Sequence, residues 1–243
     1  MPAKKQTIKI TPSKTIIFDA PKVLKPKKLF LNRELKKCDF GVAIFGSARV
    51  QMNKKVYKEV FDLAKTIGMH GYDLITGGGP GLMEAASAGH AAGDQLRRAD
   101  LIGLTIKLPF EQSINQYLEL RKDFTTFSAR LEHFMALSNV LVVSSGGIGT
   151  MLELFFSWQL LQVHHLEFKP IILVGKMWHD LISWMKKYML REHLVSKDDF
   201  RFIHLVRNEK EAIKIIDKYH RDYMKSGKCA LVPGAHQLAT KPH

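Results

Sequence analysis

Cysteine is nearly absent from the chain: there are two in 243 residues, Cys38 and Cys229, near opposite ends. That excludes a disulfide scaffold and a cysteine-built zinc site. No apolar run approaches the ~20 residues a membrane helix needs. No N-terminal stretch has the apolar centre of a secretory signal. A soluble, cytoplasmic protein without membrane contact is therefore expected. Acid is scarce as well, with 23 Asp and Glu against 37 Lys and Arg and a formal charge of +14. Taken whole, that excess suggests a nucleic-acid partner, but its distribution argues otherwise. Residues 1–38 carry +9, residues 226–243 carry +2, and the long middle carries only +3. The basicity belongs mostly to the tails, so nucleic acid is not the expected partner. A tail that grips nucleic acid is kept as a third reading, which steep salt dependence would reveal.

With 46% hydrophobic residues the chain can build a sizeable core, and wholesale disorder is excluded. Three segments are expected: a basic N-terminal arm over 1–38, a folded body over 39–225, and a loop-like tail over 226–243. The arm contains Pro12, Pro21 and Pro26, with a short helix predicted around Leu29–Lys37.

In the body, apolar runs alternate with helical spacing. Strands are predicted at Phe40–Phe45, Tyr72–Thr76, Leu101–Leu108, Val140–Val143, Pro170–Val174 and Phe202–Val206. Helices are predicted at Lys54–Met69, Leu82–Ala92, Phe127–Leu137, Gly149–Val163, His179–Leu190 and Glu209–Tyr223. Apolar strands alternating with helices imply a parallel sheet covered on both faces.

Three predicted strand ends carry glycine-rich turns: Gly46-Ser47-Ala48-Arg49, Gly77-Gly78-Gly79-Pro80-Gly81 and Ser144-Ser145-Gly146-Gly147-Ile148-Gly149-Thr150. In an open α/β sheet, ligands bind beyond the carboxyl ends of the strands. Glycine lets backbone approach a phosphate, and the helix that follows offers free N–H groups and a positive dipole end. One such turn can be purely structural; three favour a phosphate or nucleotide ligand. Neither familiar phosphate loop fits. No Gly-Lys-Ser/Thr ending is present, and Gly77, Gly79 and Leu82 stand where a dinucleotide turn needs three glycines.

Glu153 lies one turn into the helix after the third turn, Glu84 holds the matching place after the second, and Arg130 is on the helix before Val140–Val143. A carboxylate beside a phosphate needs a chemical task or a cation partner, although both acids could simply favour a helix start. The eleven histidines show no metal-ligand spacing. Trp158, Trp178 and Trp184 suit a core or a subunit interface. Leu152–Leu161 (LELFFSWQLL) is apolar nearly all round and predicts a helix buried on more than one side.

These residues resemble the Lonely Guy (LOG) family of phosphoribohydrolases, long labelled lysine decarboxylases. The family signature is Pro-Gly-Gly-x-Gly-Thr-x-x-Glu, preceded by an Arg-Lys pair on a helix. Gly146, Gly147, Gly149, Thr150, Glu153 and Arg130 match it, while Ser145 replaces the proline and Leu131 the lysine. The segments ITGGGPGLMEAASAG, IGLTIKLPFEQSINQY and SSGGIGTMLELFFSWQLLQ look like the bacterial nucleotide 5′-monophosphate nucleosidase branch. The likeness runs from about Phe40 to about Ile216.

The resemblance implies an α/β fold, Rossmann-like and doubly wound, with a mainly parallel sheet flanked by helices. It implies hydrolysis of the N-glycosidic bond of a nucleoside 5′-monophosphate to free base and ribose 5-phosphate. Glu153 and Arg130 would be catalytic, and Gly146, Gly147, Gly149 and Thr150 would hold the phosphate. Gly46, Ser47, Arg49, Gly79, Met83 and Glu84 would line the nucleotide. The scheme calls for no metal or organic cofactor, and a homodimer or higher homo-oligomer is implied. The missing lysine motivates an alternative: a nucleotide- or molybdenum-cofactor-binding protein of the same fold that does not cleave its ligand.

Overall fold

A computed structural model describes residues 40–108 and 115–226. The predicted Leu29–Lys37 helix and both tails lie outside them. Among the described residues, no helix is long and apolar enough to cross a membrane.

Among the described residues, seven parallel strands form one sheet: β1 (Gly41–Phe45), β2 (Asp73–Thr76), β3 (Leu101–Ile106), β4 (Leu120–Phe124), β5 (Val140–Val143), β6 (Ile171–Val174) and β7 (Ile203–Val206). Their order is β4-β3-β2-β1-β5-β6-β7. The α-helices among the described residues are α1 (Lys55–Met69), α2 (Leu82–Gly93), α3 (Phe127–Leu137), α4 (Ile148–Gln162), α5 (Lys176–Met185) and α6 (Glu209–Lys225). This is the doubly wound, Rossmann-like α/β fold, with every strand pairing parallel.

Strand alternation builds two cores. Val42, Ile44, Leu74 and Val142 face α1, α2 and α6, while Ala43, Phe45, Ile75 and Val143 face α3, α4 and α5. The chain winds outward from β1 to β4, then returns to place β5 on β1's other side. The β1/β5 junction is therefore the switch point, where a doubly wound sheet opens a crevice at its carboxyl edge.

Three elements differ from the sequence expectation. β4 (LRKDF) was not predicted: it is an edge strand whose charged residues alternate outward, so it lacks the apolar run that marked the others. Helix α5 starts at Lys176, three residues early, and ends in a wider π turn over Lys186–Leu190. Helix α4 is not buried on more than one side of the chain. Glu153, Leu154, Ser157, Trp158 and Leu161 pack inward, while Ile148, Leu152 and Phe155 stay exposed.

Helices α1 and α2 meet backbone to backbone. A β-carbon at Gly89 would strike the Phe61 carbonyl, one at Gly68 would lie 2.5 Å from the His90 carbonyl, and one at Gly93 would press on Lys65. Alanine ordinarily stabilises a helix interior relative to glycine, but here the room is missing. Gly89→Ala should lower stability by about 1–3 kcal/mol through overpacking, read as a lower urea midpoint at unchanged slope.

Candidate functional site

The carboxyl edge around the switch point is held by the three glycine turns, which are stitched to one another. The Ser47 amide donates to the Ser145 carbonyl at 3.0 Å, the Ser144 amide to the Phe45 carbonyl at 2.9 Å, and the Leu82 amide to the Ser47 carbonyl at 2.9 Å. Close approach explains several glycines. A β-carbon at Gly46 would lie 2.9 Å from the Leu82 side chain, and one at Gly81 would lie 2.5 Å from the Ser47 carbonyl, with φ at +70°. Gly78, at φ +71°, donates its amide to Thr76 Oγ1 at 3.2 Å.

Arg130 and Glu153 come together although 23 residues separate them. Arg130 Nη1 lies 3.4 Å from Glu153 Oε1, and both side chains are buried. Arg130 Nε donates to the Leu104 carbonyl at 2.6 Å, and its guanidinium lies over the Phe134 ring, 5.2 Å from the centroid. The other end of the fork reaches below Gly77, where any β-carbon would strike it. Strand β3, helix α3 and the β2 turn thus fix one arginine from three sides, which is how a planar fork is preorganised.

Electrostatics follow from this burial. Desolvation pushes the Glu153 carboxyl up to about 7, against the opposing pull of Arg130. The same burial draws Arg130 down from its ordinary value, against the support of Glu153. A carboxyl poised near neutrality can hold or release a proton at working pH, as general acid–base chemistry requires.

Around this pair, the signature residues fall into two kinds. A β-carbon at Gly146 would collide with Thr150, so this glycine lets Thr150 fold back over the turn. A β-carbon at Gly147 or Gly149 would meet nothing within 4 Å. Helix α4 begins here with no side-chain cap, leaving its first amides for an outside acceptor. Met83 reaches the second turn: a β-carbon at Gly79 would lie 2.8 Å from its methyl carbon, and its sulfur also crowds Gly77 beside Arg130.

Arg49 is exposed, and its amide donates to Ser47 Oγ at 3.1 Å. Glu84, in the first turn of α2, acts on Tyr57: after burial, its charge helps hold that hydroxyl above its usual value. Neither Arg49 nor Glu84 is joined to the Arg130–Glu153 pair by a hydrogen bond or ion pair among the described residues.

One support escaped the sequence reading. Asn115 is buried and holds the second turn, accepting nothing from it: its amide donates to the Gly78 carbonyl at 3.0 Å, and Nδ2 donates to the Gly79 carbonyl and Ser87 Oγ at 3.3 Å each. Its place far from the turn in sequence gave no signal. Leu131, where the LOG signature has lysine, is buried, so position 131 adds no cation to this crevice.

Comparison with known proteins gives a consistent outcome. The sequence family described as "possible lysine decarboxylase" matches residues 83–216, which include Arg130 and the whole Gly146–Glu153 segment. No curated protein matches the sequence. Among solved structures, the structural-genomics protein TM1055 aligns at 25% identity and TM-score 0.55, covering 74% of this chain and 99% of that one. The molybdenum cofactor carrier protein of Chlamydomonas reinhardtii aligns at 22% identity and TM-score 0.54, covering 74% and 98%. The molybdenum cofactor binding protein of Rippkaea orientalis aligns at 21% identity and TM-score 0.53, covering 76% and 98%. These last two establish a shared fold.

The family description suggests pyridoxal-dependent decarboxylation, which needs a lysine amine free to form a Schiff base in the crevice. Among the described residues, no lysine is hydrogen-bonded or ion-paired to the Arg130–Glu153 centre. Lys169, whose amine burial draws down to about 8, donates to the Met135 and Ser138 carbonyls at the amino-end side of β6. With its α4 signature turn, its Arg130–Glu153 pair and a family match over more than half its length, the chain belongs to the "possible lysine decarboxylase" family, the LOG-type family its motifs resemble.

Proposed function

We propose that the chain is a nucleoside 5′-monophosphate phosphoribohydrolase, releasing free base and ribose 5-phosphate. The buried Arg130–Glu153 pair beside the open start of α4 carries this reading. Cleavage of an N-glycosidic bond passes through an oxocarbenium-like sugar, which a carboxylate stabilises while water adds at the anomeric carbon. Glu153 serves as that carboxylate or activates the water. Arg130 aligns Glu153 and contacts the ribose or phosphate through its fork. The uncapped amides of Ile148, Gly149 and Thr150 hold the 5′-phosphate, and Gly46, Ser47, Gly79 and Met83 line the base and sugar. Arg49 can reach the ligand from the rim, and Glu84 borders the second turn. Chromatography of a panel of ribo- and deoxyribonucleoside monophosphates after incubation tests the reading: release of at least one base supports it, and an unchanged panel overturns it.

A second reading rests on Leu131 and on the molybdenum-cofactor proteins that share the fold. Here the same turn holds a phosphorylated ligand intact. Tight binding with the ligand recovered unaltered after long incubation would select it.

A homo-oligomer fits the exposed face of α4. Ile148, Leu152 and Phe155, 87%, 43% and 41% exposed, follow a helical stripe that begins at the phosphate turn. A second copy of the chain would cover it, bringing the interface to the edge of the site. Leu152→Glu should then shift the light-scattering mass toward the single chain. An unchanged mass would place any interface elsewhere.

A further inference from the structure

The opposite face of the sheet holds a cavity of about 300 Å³ that the Arg130–Glu153 chemistry does not use. It opens at the same carboxyl edge, between the starts of α1, α5 and α6. Val60, Val142 and Val174 contribute apolar walls. Three cations stand around it: Lys55 at the start of α1, Lys176 at the start of α5, and Arg207 just before α6. All three are exposed, so they reach the mouth rather than the core. Lys55 is paired with Glu59 at 3.3 Å. The Lys176 and Arg207 side chains make no ion pair with a carboxylate among the described residues, while the Arg207 amide donates to Glu211 Oε2 at 2.9 Å.

Three further observations point to a ligand. Ser144 lines the cavity, is 2% exposed, and its buried Oγ has no hydrogen-bond partner among the described residues. Helices α1 and α5 start without a side-chain cap or a first-turn acid, although the Tyr57 and Trp178 amides donate to the Lys54 and Gly175 carbonyls. Gly175, at φ +112°, turns the chain out of β6 at the cavity wall, a conformation that favours glycine. Two acids, Glu59 and Glu209, also line it, so the cavity suits more than a bare anion. An anionic head would meet Lys176 and Arg207, hydroxyl groups would donate to a carboxylate, and a compact body would rest on the valines. The volume lies at the lower end for small-molecule sites.

We infer that this cavity is a second binding site, for a sugar phosphate or similarly sized phosphate monoester, separate from the Arg130–Glu153 centre. Its occupant shares one backbone segment with that centre: Ser144 and Ser145, which open the third glycine turn, line the cavity, and Gly146 follows them. The inference stands whether or not the family centre hydrolyses its ligand.

Ribose 5-phosphate is the probe, with ribose as neutral control and inorganic phosphate as the anion alone. Titration of the whole protein should show binding of ribose 5-phosphate, weaker binding of phosphate and none of ribose. Backbone amide shifts should include Lys55, Gly175, Lys176 and Arg207. The double variant Lys176→Glu/Arg207→Glu should weaken this binding at least about tenfold, and the neutral pair Lys176→Gln/Arg207→Gln should weaken it less. Reversal at two exposed positions elsewhere, Lys65→Glu/Lys214→Glu, should leave it unchanged. Melting temperature reports that each variant folds. Shifts confined to Gly146–Thr150, equal loss in both reversal pairs, or no saturable binding would overturn the proposal.

Discussion

Glu153→Gln should cut base release from the preferred nucleoside monophosphate by about 10³-fold or more, the scale of losing a positioned acid–base group. The amide keeps the carboxylate's shape and can still accept from Arg130, so circular dichroism and ligand binding should survive. The wild-type rate should carry a matching pH signature. Burial raises the Glu153 carboxyl to about 7, so kcat/KM should rise with pH through a limb near 7 if the ionised form is the working one. A falling limb there would assign Glu153 the acid role instead, and no limb would remove it from the chemistry.

Stability has the opposite pH dependence. The unfolded carboxyl releases its proton near its ordinary 4.5, the folded one near 7. Between those values the folded chain holds more protons, so rising pH lowers stability through this group. The wild type should therefore lose stability relative to Glu153→Gln between pH 5 and pH 8, and denaturant titrations at both pH values check it.

Arg130→Met should be the more damaging variant. Glu153 would lose the cation that opposes its burial, and the Leu104 carbonyl would lose its donor. Breaking a buried pair from one side costs about 3–5 kcal/mol. The expected result is a lower urea midpoint, a Glu153 titration displaced upward, and base release lost together with tight ligand binding. Arg130→Lys should recover part of the stability, since a cation returns, but little activity, since a single ammonium cannot hold Glu153, Leu104 and the Gly77 turn in one plane. An Arg130→Met protein as stable and active as wild type would show that the pair is incidental.

What the sequence disclosed, and what it withheld, follows from locality. The central strands were readable because burial on both faces leaves continuous apolar runs such as VLVV at Val140–Val143. β4 escaped because an edge strand can be LRKDF and still pair. The glycine turns were visible, but the reasons for their glycines were not: Gly77 makes room for Arg130, whereas Gly46 makes room for Leu82. Glu153 and Arg130 could be singled out by motif, but their contact depends on α3 and α4 lying side by side. The second cavity had no signal at all, because its cations come from three separate segments, each ordinary by itself.

Gly147 and Gly149 carry a different lesson. Their β-carbon positions face open space, and neither has a backbone angle that demands glycine. Alanine at 149, inside α4, would suit the helix better by up to about 1 kcal/mol. A selection for thermal robustness alone would therefore erase this glycine, and an inventory of destabilising substitutions would overlook it. On the proposed function, the chain forgoes stability at this turn for vacancy, keeping the space clear for the 5′-phosphate.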